Sequence, residues 1–307
     1  MLRFAVRRLL SAIPTLLVII TAAFFLMRVA PGGPFDEEQA IPPEIHANLE
    51  AAYGLDQPVF VQFGNYLAGL LRGDLGPSFK YRDFRVSELI ARGLPVTLTV
   101  GGLALLLALA AGVPLGMLAA LRQNGPVDHT VMALALVGIA VPSFVVAPVL
   151  ALVFGVRLQW LPVAGWEPGG LRYLVLPVVT LALPFIAYLA RLARGSLLEV
   201  LQSPFIRTAR AKGLGPGYIL RRHALKPTLL PVLSFLGPAT AALLTGSLVV
   251  EQVFGLPGVG RYFVQGAINR DYTLVMGMVI FYAMLIVLLN LAVDMLYGWL
   301  DPRIRHG

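Results

Sequence analysis

The 307-residue sequence contains no cysteine, which excludes disulfides, thiolate metal sites and cysteine nucleophiles. Charge is also scarce, because only 13% of the residues are Asp, Glu, Lys or Arg, about half the share of an ordinary soluble domain. In contrast, 58% of the residues are hydrophobic. This excess of apolar surface excludes a water-soluble globule and predicts that much of the chain faces lipid.

The chain also lacks the motifs of several enzyme classes. It has no Gly-x-x-x-x-Gly-Lys-Ser/Thr loop to bind phosphates, so we do not expect it to bind ATP. Its histidines are scattered, and none forms a metal-binding pair at helical spacing. No serine–histidine or paired-acid arrangement is evident within an apolar run. We therefore expect neither catalytic residues nor a metal site. The histidines are His46, His129, His223 and His306.

Six uncharged runs are long enough to cross a bilayer, since a crossing needs about 20 residues. They predict an all-α membrane protein with six transmembrane helices. The runs are Leu9–Met27, Gly93–Leu121, Thr130–Val156, Tyr173–Ala190, Pro227–Val250 and Tyr272–Val293.

The distribution of basic residues predicts the orientation. The net charge is +8, but the basic residues lie between apolar runs, so we expect a membrane topology rather than nucleic-acid binding. With the N-terminus inside, the short outer loops hold only Arg157, Arg172, Arg261 and Arg270. Both termini are therefore expected in the cytoplasm, with Arg191 and Arg194 marking the inner interface.

The long outer loop after the first span carries helical patterns. Pro43 is suited to open a short helix that Gly54 ends. The stretch Pro58–Leu71 is amphipathic, and Gly73–Pro77 is typical of a turn. We expect a small helical insertion that rests on the outer membrane surface.

A short cytoplasmic helix is predicted between the fourth and fifth runs. Ser203 is a favourable N-cap and Pro204 suits the first helical position, while Gly213 ends the helix. So short a helix is marginal in water by itself. Two interpretations stay open on these residues alone: a basic loop that touches lipid headgroups, or a docking helix for a cytoplasmic partner.

This segment resembles the cytoplasmic signature of permease subunits of bacterial ABC importers of the dipeptide/oligopeptide/nickel type. Their Glu-Ala-Ala-x-x-x-Gly pattern matches here at Ala209 and Gly213, while Arg207 replaces the acid and Thr208 the first alanine. Both departures are similar to the peptide branch of the family. Further matching motifs, in order, are Pro31–Pro34, Gly54–Pro58, Gly73–Gly76, Val141–Phe144, Trp160–Pro162, Glu251–Gly260, Arg270–Tyr272 and Asp301–Arg303.

The resemblance implies the type I importer permease fold in a bacterial cytoplasmic (inner) membrane. It implies a transporter subunit rather than an enzyme, forming half of a pathway for di- or oligopeptides. The expected partners are a second homologous permease, two ATPase subunits that hold ATP and Mg²⁺, and an extracytoplasmic substrate-binding protein. The alternatives are import of nickel or another small solute by the same machinery, or an ion-coupled secondary transporter.

The resemblance also assigns candidate site residues. The ATPase-docking coupling helix would be formed by Phe205, Arg207, Thr208, Ala209, Arg210, Ala211, Lys212, Gly213 and Leu214. Contacts to the binding protein or the outer gate are expected from Glu251, Phe254, Leu256, Pro257, Arg261 and Asp271. For Glu251, stabilisation of the Pro257-Gly258 turn is an equally weighted alternative.

We divide the chain accordingly. Residues 1–92 hold the first helix and the extracytoplasmic loop, residues 93–299 form a five-helix permease core with the coupling helix near 204–213, and residues 300–307 are a cytoplasmic tail.

Overall fold

A computed structural model describes residues 2–29, 33, 35, 43–81 and 83–300. Most of the Pro31–Pro34 motif and all of the Asp301–Arg303 motif lie outside these residues. The described part of the chain contains helices and no strand, with one isolated bridge between Pro77 and Arg85.

Twelve α-helices follow one another in the described residues, and two of them continue as π-helical segments. The α-helices are α1 (Leu2–Val29), α2 (Pro43–Ala52), α3 (Val59–Leu71), α4 (Val86–Leu121), α5 (Pro126–Ala140), α6 (Ser143–Leu150), α7 (Leu171–Gln202), α8 (Pro204–Ala211), α9 (Pro216–Ile219), α10 (Leu225–Val253), α11 (Val259–Ile268) and α12 (Tyr272–Leu300). The π-helical segments are Ala151–Arg157 after α6 and Leu220–Ala224 after α9.

Five of the six predicted spans are single apolar helices: α1, α4, α7, α10 and α12. The helix α4 begins at Val86, seven residues before the apolar run, so it starts within the segment that we assigned to the outer loop. These helices therefore form a bundle of the predicted all-α class.

The predicted span Thr130–Val156 is not a single straight helix. The chain bends by 102° between α5 and the helical stretch Ser143–Arg157, so this region is either a sixth, broken span or a re-entrant loop. The cause is local, because Val141 precedes Pro142 and takes extended backbone angles (φ −88°, ψ 116°). A residue before proline is disfavoured in the helical region.

The centre of the bundle is α7, which packs along α4 through small residues. A Cβ atom on Gly116 would lie 2.2 Å from the carbonyl oxygen of Ala190, and one on Gly112 would lie 2.7 Å from that of Ile186. Glycine lets the two backbones approach this closely, as is common between membrane helices. The helix that leads into α8 is thereby fixed to α4.

The outer insertion forms the two predicted helices, α2 and α3. Phe63, Tyr66 and Leu67 of α3 pack against Phe24 of α1 and Met276 of α12. The amphipathic face therefore covers the C-terminal end of α1 and the N-terminal end of α12. Phe60 of α3 is 79% exposed, and its ring centroid lies 5.9 Å from that of Phe25 on α1.

Candidate coupling helix and outer carboxylate network

The predicted cytoplasmic helix is α8. Pro204 occupies its first turn, and Gly213 ends it with a left-handed backbone (φ +78°) that glycine adopts without strain. Ser203 is the N-cap residue, as predicted, but it makes no side-chain capping hydrogen bond, because its hydroxyl donates to the carbonyl of Val200, 2.6 Å away. Tertiary packing must therefore hold this helix.

One face of α8 is buried against its own chain. Ile206 is fully buried and Ala209 is 5% exposed, and they pack with Ala120 of α4, Leu197 of α7 and Ile219 of α9. Ala209 of the predicted docking set therefore lies on the buried face, beside Ile206. The structure uses both side chains to attach α8 to the bundle.

The opposite face of α8 is exposed, basic and carries one aromatic side chain. Phe205 is 47% exposed, and Leu214 beyond the helix is half-buried. The other exposed residues of the predicted docking set are Arg207, Thr208, Arg210, Ala211, Lys212 and Gly213. We call this face the α8 outer face, because it points away from the bundle. It is available to another molecule.

An ion pair joins α5 to the part of α7 that precedes α8. Asp128 is 2% exposed and accepts hydrogen bonds from Arg194 Nε at 2.5 Å and Nη2 at 2.7 Å. It also accepts one from the backbone N–H of Asn124 at 2.9 Å. Bidentate arginine–carboxylate pairs are strong and directional, so this pair fixes the two helices relative to each other.

Glu251, near the C-terminal end of α10, is fully buried and holds the start of α11. Its carboxylate accepts hydrogen bonds from the Thr97 hydroxyl of α4 at 2.7 Å and from the Gly260 N–H at 2.8 Å. The Val259 N–H donates to Thr97 Oγ1 at 3.0 Å. The first N–H groups of a helix need such acceptors. These contacts fit the alternative interpretation of Glu251, in which its side chain stabilises the turn at Pro257-Gly258.

Asp271 performs the same task for α12. One carboxylate oxygen accepts the Leu274 N–H at 3.1 Å, and the other accepts the Ser78 hydroxyl and the N–H groups of Phe79 (3.0 Å) and Lys80 (3.2 Å). The loop that precedes α4 is thereby attached to the loop that precedes α12. Asp271 is fully buried.

Most of the predicted outer-gate residues are therefore interior residues in this conformation. Glu251, Leu256 and Asp271 have no exposed surface and Phe254 is 1% exposed, whereas Pro257 and Arg261 are half-buried. Contact of the first four with a binding protein would require the outer loops to open.

Several residues of this network escaped the sequence reasoning. Thr97 and Ser78 carry no local pattern that points to a carboxylate more than 150 residues away. Tyr81 donates its hydroxyl hydrogen to Gln265 of α11, and burial raises the pKa of this phenol. No group of His, Asp and Glu side chains suited to a metal occurs among the described residues.

Comparison with known proteins agrees with this architecture. Residues 112–306 match the family model described as "Binding-protein-dependent transport system inner membrane component", and residues 1–101 match the model of the corresponding N-terminal region. The chain is 54% identical, over the whole of both chains, to the oligopeptide transport system permease protein OppB of Salmonella typhimurium. It is 42% identical to the dipeptide transport system permease protein DppB of Bacillus subtilis, covering 99% of this chain and 98% of the relative.

Solved structures show the same fold. A chain of the methionine ABC transporter MetNI, in an inward-facing conformation, aligns with a TM-score of 0.59 at 21% identity and covers 69% of this chain and 96% of its own. A chain of an amino acid ABC transporter aligns with a TM-score of 0.51 at 20% identity, covering 71% and 94%. The chain belongs to the binding-protein-dependent transport system inner membrane component family and has the type I ABC importer permease fold.

Proposed function

We propose that this chain is one of two membrane subunits of an ATP-driven importer and forms half of the pathway for di- or oligopeptides. The peptide would be delivered by an extracytoplasmic binding protein. The observation that carries the proposal is the α8 outer face, an exposed basic and aromatic surface on a helix that is firmly attached to the bundle. The named relatives in oligopeptide and dipeptide transport support the choice of cargo.

The second permease would be homologous but different, and two ATPase subunits would bind α8 and its counterpart. ATP and Mg²⁺ on those subunits would supply the free energy. Because Ile206 and Ala209 pack on α4 and α7, a displacement of α8 would move these helices with it. Packed cores switch between discrete arrangements rather than deforming continuously. The bundle would thereby alternate between outward-open and inward-open states.

The same proposal places both termini in the cytoplasm. It is supported by the concentration of basic residues on the side of α8, including the adjacent Arg221, Arg222 and Lys226, since cytoplasmic loops carry an excess of Lys and Arg. The network around Glu251 and Asp271 would then lie on the extracytoplasmic side, where a loaded binding protein docks.

The experiment is to tag the chain in its host, purify it in mild detergent and identify its partners. The complex is then reconstituted in proteoliposomes with the co-purifying binding protein, and uptake of a radiolabelled oligopeptide is measured with and without ATP. We expect a second permease, ATPase subunits and ATP-dependent uptake. A chain that purifies alone and accumulates solute in response to an ion gradient would overturn the proposal in favour of a secondary transporter.

A further inference from the structure

A cavity of about 350 Å³ lies between the outer insertion and the bundle. Its walls come from the C-terminal end of α1, from α3, from the turns at 52–57 and 74–79, and from the N-terminal end of α12. Its polar lining residues include Arg28, Gln62, Asn65, Tyr66 and Asp74. The described lining includes no residue of α4, α7 or α10, so the cavity lies to one side of the bundle centre.

The guanidinium group of Arg28 is held in one orientation in this cavity. Its Nε and Nη2 donate to Gln62 Oε1 at 3.0 and 2.9 Å, and its Nη1 donates to the carbonyl of Phe24 at 3.4 Å. Gln62 is fixed in turn, because its amide nitrogen donates to the carbonyls of Leu55 at 3.0 Å and Gln57 at 2.8 Å. The Phe24 ring centroid lies 3.5 Å from Arg28 Cζ. The arginine is therefore preorganised, which lowers the entropy lost when a ligand binds.

Every hydrogen-bond acceptor of Arg28 is neutral. In the part of the chain that the structure describes, no acid forms an ion pair with it. Asp74 lines the same cavity, but it pairs with Arg85 at 3.3 Å and accepts the Gly76 N–H at 2.9 Å. The positive charge of Arg28 therefore lacks a counter-charge within the described residues.

Two kinds of donor in the cavity are left without an acceptor. A guanidinium has five N–H donors, and the three hydrogen bonds of Arg28 leave one N–H on Nη1 and one on Nη2. Such a pair matches the two oxygens of a carboxylate. Tyr66 also lines the cavity, and its buried hydroxyl makes no hydrogen bond to any described residue. A buried hydroxyl without a partner is unfavourable, so an anionic oxygen in the cavity would stabilise both side chains.

We propose that this site, which we call the Arg28 cavity, receives an acidic side chain of the extracytoplasmic binding protein. The inference rests on the proposed function, which places the outer insertion on the side from which peptide is delivered. The carboxylate accepts the two remaining N–H groups of Arg28 and the hydroxyl hydrogen of Tyr66.

The position of the Arg28 cavity favours this occupant. Because the insertion supplies α3 and both turns of its wall, most of the cavity belongs to the part of the chain that the proposed topology places outside the bilayer. A protein carboxylate therefore suits the site better than a lipid phosphate. Its place to one side of α4, α7 and α10 suits a docking contact better than a point on the path of the peptide.

The test measures the affinity of the co-purifying binding protein, loaded with an oligopeptide, for the whole importer in nanodiscs at low salt. Arg28→Gln removes the positive charge and should weaken binding about tenfold, as expected for one charge-assisted hydrogen-bonded pair. Tyr66→Phe removes a hydroxyl without leaving any described group unpaired, and should weaken binding about threefold with an unchanged unfolding midpoint. The control is Arg72→Gln, which removes an exposed arginine that does not line the cavity.

Three results would overturn the inference. The first is wild-type affinity in Arg28→Gln, and the second is an equal loss in Arg28→Gln and Arg72→Gln, which indicates only a general attraction to basic residues. The third is release of a bound anionic phospholipid from Arg28→Gln, seen by native mass spectrometry, with unchanged affinity for the binding protein. If Arg28→Gln lowers the unfolding midpoint, Tyr66→Phe decides, and wild-type affinity in that variant overturns the inference.

These results are distinguishable from failure of the proposed function. A wild-type importer that binds the binding protein and takes up peptide with ATP retains that function whatever the variants show. A wild-type importer that does neither contradicts the proposed function itself.

Discussion

Arg194 binds Asp128 through two hydrogen bonds, and this pair connects α5 to the segment of α7 that leads into α8. The carboxylate is buried, while the arginine side chain is 25% exposed. The pair is therefore intermediate between a fully buried ion pair and one on the solvated surface.

The Asp128→Ala variant should be destabilised by about 2 kcal/mol, between the values typical of exposed and of fully buried ion pairs. Its thermal unfolding midpoint should fall, because Arg194 loses its partner and the Asn124 N–H loses an acceptor. The double variant Asp128→Ala/Arg194→Ala should lose less than the sum of the single variants. Strict additivity of the two effects would contradict the pairing.

Replacing Glu251 should loosen the outer end of the bundle. Glu251→Ala leaves the Thr97 hydroxyl and the Gly260 N–H without an acceptor, which should cost about 2–4 kcal/mol at 1–3 kcal/mol for each unpaired group. Glu251→Gln keeps one acceptor oxygen and should lose less. The control is Gln252→Ala, an exposed neighbour that should leave the unfolding midpoint unchanged. Equal midpoints for Glu251→Ala and Gln252→Ala would show that the network is dispensable.

The two faces of α8 should respond differently to substitution. Ala209→Glu places a charge in the buried contact with α4 and α7, so the amount of folded protein in the membrane should fall. Phe205→Ala changes only the exposed face, and should leave the unfolding midpoint unchanged while ATP-driven uptake falls. Phe60→Ala, which removes an exposed phenylalanine on α3, is the control and should retain uptake. Normal uptake by Phe205→Ala would argue against docking through this face.

The close approach of α4 and α7 gives a further prediction. Gly116→Ala introduces a Cβ atom 2.2 Å from a backbone oxygen, and overpacking of this kind typically costs about 1–3 kcal/mol. Gly102→Ala on the same helix meets nothing within 4 Å and should be neutral or stabilising. Comparison of the two unfolding midpoints tests the contact, and a neutral Gly116→Ala would contradict it.

The spans and α8 could be predicted from the sequence because each depends on local information. A long apolar run identifies a span, and Pro204 with Gly213 identifies the ends of α8. The direction in which each residue of α8 faces was not predictable in this way, because it depends on Ala120 and Leu197 from two distant helices.

The same limit applies to the charged residues. Arg191 and Arg194 have the same local setting in the sequence, but among the residues that the structure describes only Arg194 pairs with an acid, one that lies 66 residues away. Glu251 and Asp271 lie in loop motifs that suggest exposure. Tertiary contacts with Thr97 and Ser78 bury them, and no pattern within a single segment reports such contacts.

Cross-linking from the α8 outer face tests the central claim most directly. The chain has no cysteine, so Phe205→Cys and Phe60→Cys each provide one thiol, on α8 and on α3 respectively. The purified importer is treated with a short thiol-to-amine cross-linker, and the products are identified by mass spectrometry. We predict that Phe205→Cys cross-links to an ATPase subunit and that Phe60→Cys does not. An importer that assembles and hydrolyses ATP without any cross-link from Phe205→Cys to an ATPase would contradict the account.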